Sequence, residues 1–583
     1  TVYVHDEKFR DIRHTDSEGT ESFEYNKRNQ KTLFVDKLGR KTKYGYDEKG
    51  NLTRVINALG IKTEIRYGEG DRPVSIRIDS QEKIHYAYNE AGDIEEARDA
   101  LGNTHRFRYG KPGRPEEILQ PDGSRVQIAY DERGNILELT DAFGSTTRFC
   151  YDALNRVTET ADGNGNRTCY EYDPSGNIIR VVNAEGGERS YRYNESGKVM
   201  EIRDFDGSTV KREYNVLNRP SRLIDQEGRE TLLSYDVMWN LARVTEPNGA
   251  KTTYIYNGQN RLERVRKANG AQVRYAYDAA GNRTGVTDEE GNRTGLAYDA
   301  LGRLIRVTDP EGAETSYEYD VMGNMTKVTD ACGNTVHLTY DAMGRLIRET
   351  NALGESRHYT YTALGKAESV TDEAGRTIRY EYEPGGRLKK IRYPDGTWEA
   401  YTYDGNGNVL TRTRETGFVQ SYVYDSLDRI IRIEGSGGES KSYAYDAVGN
   451  VIRMTDGLGN STHYEYTLTG RFKKVTDALG NETEYGYDVC DRLIEIRQYG
   501  EFKVQEENEP DKAVSGLETA LSIDRELLEA QEHNRESRSC QITRYERDLS
   551  GQVTKITDAL GREEHYTYGK RGELLSKLDK DGY

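Results

Sequence analysis

The sequence predicts an all-β chain, one long antiparallel sheet of roughly 50 short strands built from 21-residue repeats, and three observations carry that reading. A tyrosine recurs with a 21-residue period from Tyr25 to Tyr487, 23 consecutive times. A glycine stands at the fourteenth position after these tyrosines at 21 of 22 places between Gly39 and Gly480, Gln81 being the exception. Between these markers the residues read as strands, rich in β-branched and aromatic side chains, as in Arg303-Leu-Ile-Arg-Val-Thr308 and Glu314-Thr-Ser-Tyr-Glu-Tyr319.

Fourteen of the repeat tyrosines have a second tyrosine two residues earlier, as in Tyr170/Tyr172, Tyr317/Tyr319 and Tyr464/Tyr466, while Phe107 and Phe149 fill that place elsewhere. A spacing of two puts both rings on one face of a strand. The expected structural positions are the repeat tyrosines Tyr130, Tyr172, Tyr298, Tyr319, Tyr340, Tyr445, Tyr466 and Tyr487 and the turn glycines Gly144, Gly291, Gly312, Gly333, Gly354 and Gly480. A second, looser glycine follows the tyrosine by four residues, at Gly134, Gly176, Gly302, Gly323, Gly344 and Gly449. Both glycines often close an Asp-x-x-Gly tetrad, such as Asp299-Ala-Leu-Gly302 or Asp477-Ala-Leu-Gly480. Aspartate first and glycine fourth suit a type I turn completed by a left-handed residue, the usual three-residue hairpin loop. Each repeat is therefore two strands and two reversals, with adjacent arms antiparallel.

At about 4.8 Å per strand such a sheet would be on the order of 240 Å long and ~20 Å wide. Strand twist makes long sheets curl, so the ribbon is expected to spiral into a hollow barrel or shell. Cross-strand pairs contribute roughly 0.2 to 1 kcal/mol each, enough to sustain a thin wall without a deep core. The intervening arm's Leu, Ile or Val should sit between successive tyrosine rings. A propeller is disfavoured: the chain would need roughly 13 blades against a usual 4 to 8, and odd and even repeats do not alternate.

The composition fits a thin wall. Apolar residues are 34% of the 583 and charged residues 31%, yet there are 44 tyrosines, which argues against disorder. A net charge of −17 with no basic run excludes nucleic acid as an expected partner. Five cysteines (Cys150, Cys169, Cys332, Cys490, Cys540) form no CxxC pair, so neither a zinc site nor a disulfide framework is indicated. Cys150 and Cys169 fall in equivalent arms, about 10 Å apart and too far for a bridge. No apolar run approaches a membrane span and no leader is present; the chain reads as a piece of something longer.

Candidate chemistry dissolves into the repeat. His85, His337, His358, His463 and His565 each lie three residues before a repeat tyrosine and are variants of one strand position. Asp162-Gly-Asn-Gly-Asn166 and Asp404-Gly-Asn-Gly-Asn408 resemble the start of a calcium loop but lack its later glycine and glutamate, and read as repeat turns. Sequons such as Asn282-Arg-Thr284 and Asn324-Met-Thr326 arise because a turn ends Gly-Asn before a strand. No catalytic residue, cofactor or metal is expected.

Tyr298-Asp-Ala-Leu-Gly-Arg-Leu-Ile-Arg-Val-Thr-Asp309 and Tyr340-Asp-Ala-Met-Gly-Arg-Leu-Ile-Arg-Glu-Thr350 resemble the YD repeat of Rhs proteins, also known from Tc toxin C components and teneurins, where it forms a hollow β-shell. The resemblance covers nearly the whole chain. It implies a non-catalytic, bacterial, secreted or cell-surface shell that encloses a toxic polypeptide C-terminal to this segment until delivery, with a possible secretion or delivery partner. Rhs shells usually end in a core segment with a P-x-x-x-x-D-P-x-G-like motif; nothing like it appears before Tyr583, so no autoproteolytic residues carry over. The alternatives are a cell-surface adhesion or carbohydrate-binding protein, which predicts outward-facing tyrosines, and an enzyme, which would need a cleft breaking the period.

The period is interrupted once. The register lost after Tyr487 returns with Gly551, Gly561, Tyr566 and Tyr568, Arg547 standing in the tyrosine place, so the step from Tyr487 to Arg547 is one repeat plus an insertion. The expected division is shell over 1–500, an acidic, helical insertion over 501–540 with 11 Asp and Glu against 5 Lys and Arg, and shell again over 541–583. Ser515-Gly-Leu-Glu518 resembles a capping box, with Leu517, Ala520, Leu521, Leu527 and Leu528 at helical spacing. The expected role is a helix packed on the wall, the alternative a plug or partner contact.

Overall fold

The computed structural model describes residues 2–500, 539–569 and 571–580. They form 52 strands of one open antiparallel sheet, from β1 (Val2–His5) to β52 (Leu574–Leu578), with a single 3-10 turn at Glu69–Asp71. The predicted helix of the 501–540 insertion lies outside the described residues, except that strand β49 (Ser539–Arg547) already begins within it. It pairs antiparallel with β48 (Leu493–Gly500), from Glu495↔Arg544 to Gly500↔Ser539.

One repeat shows the plan. The tyrosine arm β31 (Glu314–Tyr319) pairs with the following aliphatic arm β32 (Met325–Thr329) through Ser316↔Thr329, Tyr317↔Val328 and Glu318↔Lys327, and a bulge then sets Tyr319 opposite Met325. With the preceding arm β30 (Leu304–Thr308) it pairs only over Arg306↔Ser316, Val307↔Thr315 and Thr308↔Glu314. The ribbon thus has a near edge, where turns follow the tyrosines, and a far edge, where turns hold the other recurring glycines, Gly312 and Gly333 among them.

The turns form for the reason the tetrads imply. At the near edge Gly302 N donates to Asp299 O (3.1 Å) and Asp299 N to Arg303 O (3.0 Å), with Gly302 at φ +77°. The far-edge glycines Gly144, Gly291, Gly312, Gly333, Gly354 and Gly480 have φ between 80° and 97°, a region that costs other residues about 1 to 2 kcal/mol. Where glycine is missing from the near edge, Asn29, Asn155, Asn218, Asn260, Asp428, Asp491 and even Trp239 take positive φ instead. Gln81 breaks the pattern because its hairpin closes differently: Ile78 pairs with Gln81 around a two-residue turn in which Asp79 and Ser80 both have positive φ.

The residues divide into two compact units, one of Thr1–Gly207, Leu233–Val244 and Thr252–Ser440, the other of Ser208–Leu232, Thr245–Lys251 and Lys441–Tyr583. There is almost no core. Among the described residues Ala250 and Ala271 are the only buried apolar side chains. Along β31, Thr315, Tyr317 and Tyr319 are half-buried while Glu314 and Glu318 on the other face are exposed, so the tyrosine side is the drier one.

Candidate functional surface: tyrosine rungs and interlocking edges

Between hairpins the ladder stops short of the near edge, so the carbonyl at the start of each aliphatic arm has no strand N–H to accept. The next repeat's tyrosine supplies the donor. Tyr319 Oη donates to Leu304 O at 2.7 Å, and the same bond to the residue 15 positions earlier recurs at Tyr130, Tyr172, Tyr298, Tyr466 and Tyr487, at 2.7 to 3.1 Å. Tyr340 and Tyr445 end strands β33 (Thr335–Tyr340) and β43 (Ser440–Tyr445) at the same place in the repeat. Desolvation raises the pKa of Tyr319, Tyr340 and Tyr487 above the ordinary 10.0.

The predicted interleaving of aliphatic side chains and rings is visible at Phe472, which holds the aliphatic place: its ring lies 5.2 Å from Tyr466 and 6.3 Å from Tyr485. A further participant, not anticipated from the sequence, is the arginine after the near-edge glycine. Arg303 lies 4.6 Å over the Tyr319 ring, donates from Nε to Asp299 Oδ2 (2.7 Å) and from Nη1 to Asp320 O (3.1 Å). Arg156, Arg345 and Arg387 stack at 4.7 Å on Tyr172, Tyr361 and Tyr403. The signal available in the sequence was the Gly-Arg dipeptide, as at Gly302-Arg303 and Gly344-Arg345, recurring at a fixed distance before a repeat tyrosine.

The turn aspartates are loaded with donors. Asp320 accepts Asn324 N and Asn324 Nδ2 at 2.8 and 2.9 Å, and equivalent bonds from Asn177 and Asn334 side chains hold Asp173 and Asp330 below the ordinary carboxylate value.

Within the first unit the two edges meet. Near-edge turns of residues 257–429 nest against far-edge turns 240 to 263 residues earlier in the chain. Arg261 pairs with Glu18 (2.6 Å), Lys83 Nζ reaches Ala342 O (3.2 Å), Gly385 N donates to Asp122 Oδ2 (2.6 Å), Arg387 covers the Phe143 ring (4.2 Å) and Arg429 pairs with Glu185 (2.9 Å). Within the second unit Arg229 pairs with Asp491 in the same manner (3.1 Å). The ribbon of the first unit therefore winds, each revolution taking about a dozen repeats. The two Asp-Gly-Asn-Gly-Asn segments face one another along this seam, Asn164 Nδ2 donating to Asp404 Oδ2 at 2.9 Å.

The other sequence candidates stay apart. His337, His358 and His463 stand exposed at equivalent strand positions, and all five cysteines are free. Among the described residues no cluster of His, Cys, Asp and Glu is arranged to hold a metal ion, and no helix is long and apolar enough to cross a membrane.

Several solved structures share this geometry. The crystal structure of TcdB2-TccC3 is similar with a TM-score of 0.57 and 14% identity, over 97% of this chain and 34% of that one. A TcdB2-TccC3-Cdc42 structure gives 0.56 and 13% over 98% and 38%, and the Photorhabdus luminescens Tc holotoxin pore 0.52 and 15% over 96% and 35%. The chain spans about a third of the length of these structures, and at such identity the likeness establishes the fold. No curated protein matched. The model of the teneurin YD-shell matches residues 10–202, 190–371, 318–410 and 367–505, so that nearly the whole repeat array is accounted for, and the chain belongs to the teneurin YD-shell family.

Proposed function

We propose that this chain is a non-catalytic wall segment of a secreted or cell-surface bacterial β-shell that encloses a polypeptide cargo, a toxin of the polymorphic kind, for delivery. One observation carries the reading: the first unit's ribbon returns on itself and joins edge to edge, which is what a wall does and an open adhesive sheet does not need. A revolution of about a dozen repeats holds roughly 24 strands, a girth of ~115 Å and a width of about 37 Å if round. That is the scale of an unfolded segment or a domain of about 100 residues, whose radius of gyration is about 13 Å. The fold's occurrence in TcdB2-TccC3 and in a Tc holotoxin pore supports a toxin-delivery partner here.

The carbohydrate-binding alternative is less well served, because the repeat tyrosine hydroxyls that could bond sugars already donate to backbone carbonyls. In this reading 1–500 and 541–583 are wall, and 501–540 is an insertion that follows the far-edge end of β48. The test is a cryo-EM map of the full-length parent polypeptide with limited proteolysis in parallel. Density inside the wall and a protected C-terminal fragment are expected; an empty sheet whose C-terminal region is digested as fast as a free peptide would overturn the reading.

A further inference from the structure

A ribbon of near-identical repeats faces a problem of register. Tips of the near edge fit between tips of the far edge, and a slip of one repeat along the seam would offer a similar notch. Asp-Gly-Asn-Gly-Asn occurs twice in the sequence, at 162–166 on the far edge and 404–408 on the near edge, and the structure brings the two copies together within the first unit. Their exchange is reciprocal. Asn164 Nδ2 donates to Asp404 Oδ2 (2.9 Å) and Asn406 Nδ2 to Asp162 Oδ2 (2.8 Å), while Asn164 N donates to Asn406 Oδ1 (3.1 Å) and Gly405 N to Asn164 Oδ1 (2.9 Å). Ser145 on the adjoining far-edge turn adds a hydroxyl bond to Gly405 O.

Gly163 and Gly405 are explained by this junction, in which a Cβ on Gly163 would also run into the Ser145 hydroxyl. Neither has positive φ, but a Cβ on Gly163 would come under 3.0 Å from the Gly405 carbonyl oxygen, and one on Gly405 under 3.0 Å from that of Gly163. We propose that the paired Asp-Gly-Asn-Gly-Asn turns are a register key, the element that selects how many repeats make one revolution and hence how wide the shell is. One repeat away on the near edge stand Glu383-Pro-Gly-Gly386 and Asp425-Ser-Leu-Asp428. Pro384 has no N–H for Asn164 Oδ1, and Ser426 brings a Cβ where Gly163 O lies. Gly385 and Leu427 hold the place of Asn406 and return no amide bond. The slipped windings thus lose the exchange, and both also meet a backbone clash, since Pro384 like Ser426 carries a Cβ.

The inference holds whatever the shell encloses, and its test needs no cargo. In the full chain with Cys150, Cys169, Cys332, Cys490 and Cys540 replaced by serine, Glu185→Cys/Arg429→Cys reports the native winding through a short bis-maleimide, since those side chains touch across the seam. Glu185→Cys/Asn450→Cys reports a slip of one repeat. Gly405→Ala is expected to lower the native cross-link about fivefold or more, the worth of one or more hydrogen bonds, and to raise the slipped one. Gly258→Ala is the control, at the same place in another near-edge turn with nothing within 4 Å of an added Cβ. Should circular dichroism show Gly405→Ala unfolded, Asn164→Ala/Asn406→Ala, which removes the bonds without adding atoms, decides on the same readout. Native cross-linking at the level of Gly258→Ala in the folded key variant overturns the proposal.

Discussion

The hairpins at 304–319 and 493–547 follow one plan and differ in the residue that closes it. In the first, Tyr319 Oη donates to Leu304 O, the position 15 residues back. In the second, the inserted residues separate the partners by 54 positions, and Arg547 stands where tyrosine is due. Arg547 Nε nevertheless donates to Leu493 O at 2.9 Å, and its Nη1 to Gly551 O at 2.8 Å. The difference teaches that this place in the repeat is defined by a donor long enough to reach back one arm, and that the aromatic ring is one way of carrying it. Tyr545 two residues earlier keeps its ring, so the face stays aromatic where the rung does not.

The largest effect should come from acid, which strikes a set of Asp turns spread along the ribbon together. Asp131, Asp173, Asp236, Asp330 and Asp456 are held below the ordinary 3.8, chiefly by the side-chain amide of the asparagine four residues on. A depressed folded-state value means their contribution is complete above the ordinary carboxylate value and is lost as pH falls through the lower one. Far-UV circular dichroism between pH 7 and 2 should show β-structure holding to about pH 4 and failing below it; an undiminished signal at pH 2 would remove the turns from the account of stability.

Next in size, Tyr319→Phe keeps the ring beneath Arg303 but leaves Leu304 O without its donor, costing about 1 kcal/mol locally. Native-state hydrogen exchange should show β30 and β31 losing protection while distant hairpins keep theirs, as expected of a repeat array. Unchanged protection would mean that the hydroxyl bond is incidental. Trp239→Gly should act in the opposite direction by up to about 1 kcal/mol, because the tryptophan holds φ +66° at a near-edge position where glycine is the usual residue. Slower exchange in the flanking strands β23 (Glu230–Tyr235) and β24 (Leu241–Thr245) checks it, and faster exchange refutes it.

The smallest change is expected from Arg547→Tyr, within about 0.5 kcal/mol of the parent, since one donor replaces another. Alkali then separates them. The raised pKa of Tyr319 means its contribution is complete below 10.0 and is lost as pH rises through the higher folded-state value, after which tyrosinate cannot donate, whereas arginine stays charged. Protease cleavage mapped above about pH 11 should appear within strands β30 and β31 before it appears within strands β48 and β49, and the Arg547→Tyr chain should lose that order.

Strand number, hairpin type and the turn glycines were legible in the sequence because each leaves a mark at fixed spacing. The rung was half legible: phenylalanine replaces tyrosine at Phe107 and Phe149, two residues before the repeat position, but never at the 23 repeat positions themselves, which is the trace of a needed hydroxyl. Its acceptor is a backbone carbonyl, which any residue provides, so no partner residue betrays it. The seam was illegible for another reason. Its partners lie some 240 residues apart, and the twin Asp-Gly-Asn-Gly-Asn segments read locally as ordinary turns.

That each strand's partners are its immediate predecessor and successor, as β31 is flanked by β30 and β32, bears on how the wall is made. All-β folds are commonly slow because distant segments must find one another before anything is gained. Here the strands, β49 after the insertion excepted, meet their partners within a few residues of leaving the ribosome, so the ribbon can lengthen hairpin by hairpin from its N-terminal end, each new arm templated on the last. The lateral clasp between revolutions needs residues that emerge hundreds of positions later, so curvature must be present in the nascent ribbon before anything holds it. Synthesis would proceed like the laying of a coiled rope, each stretch clasped to an earlier one only after it has been laid.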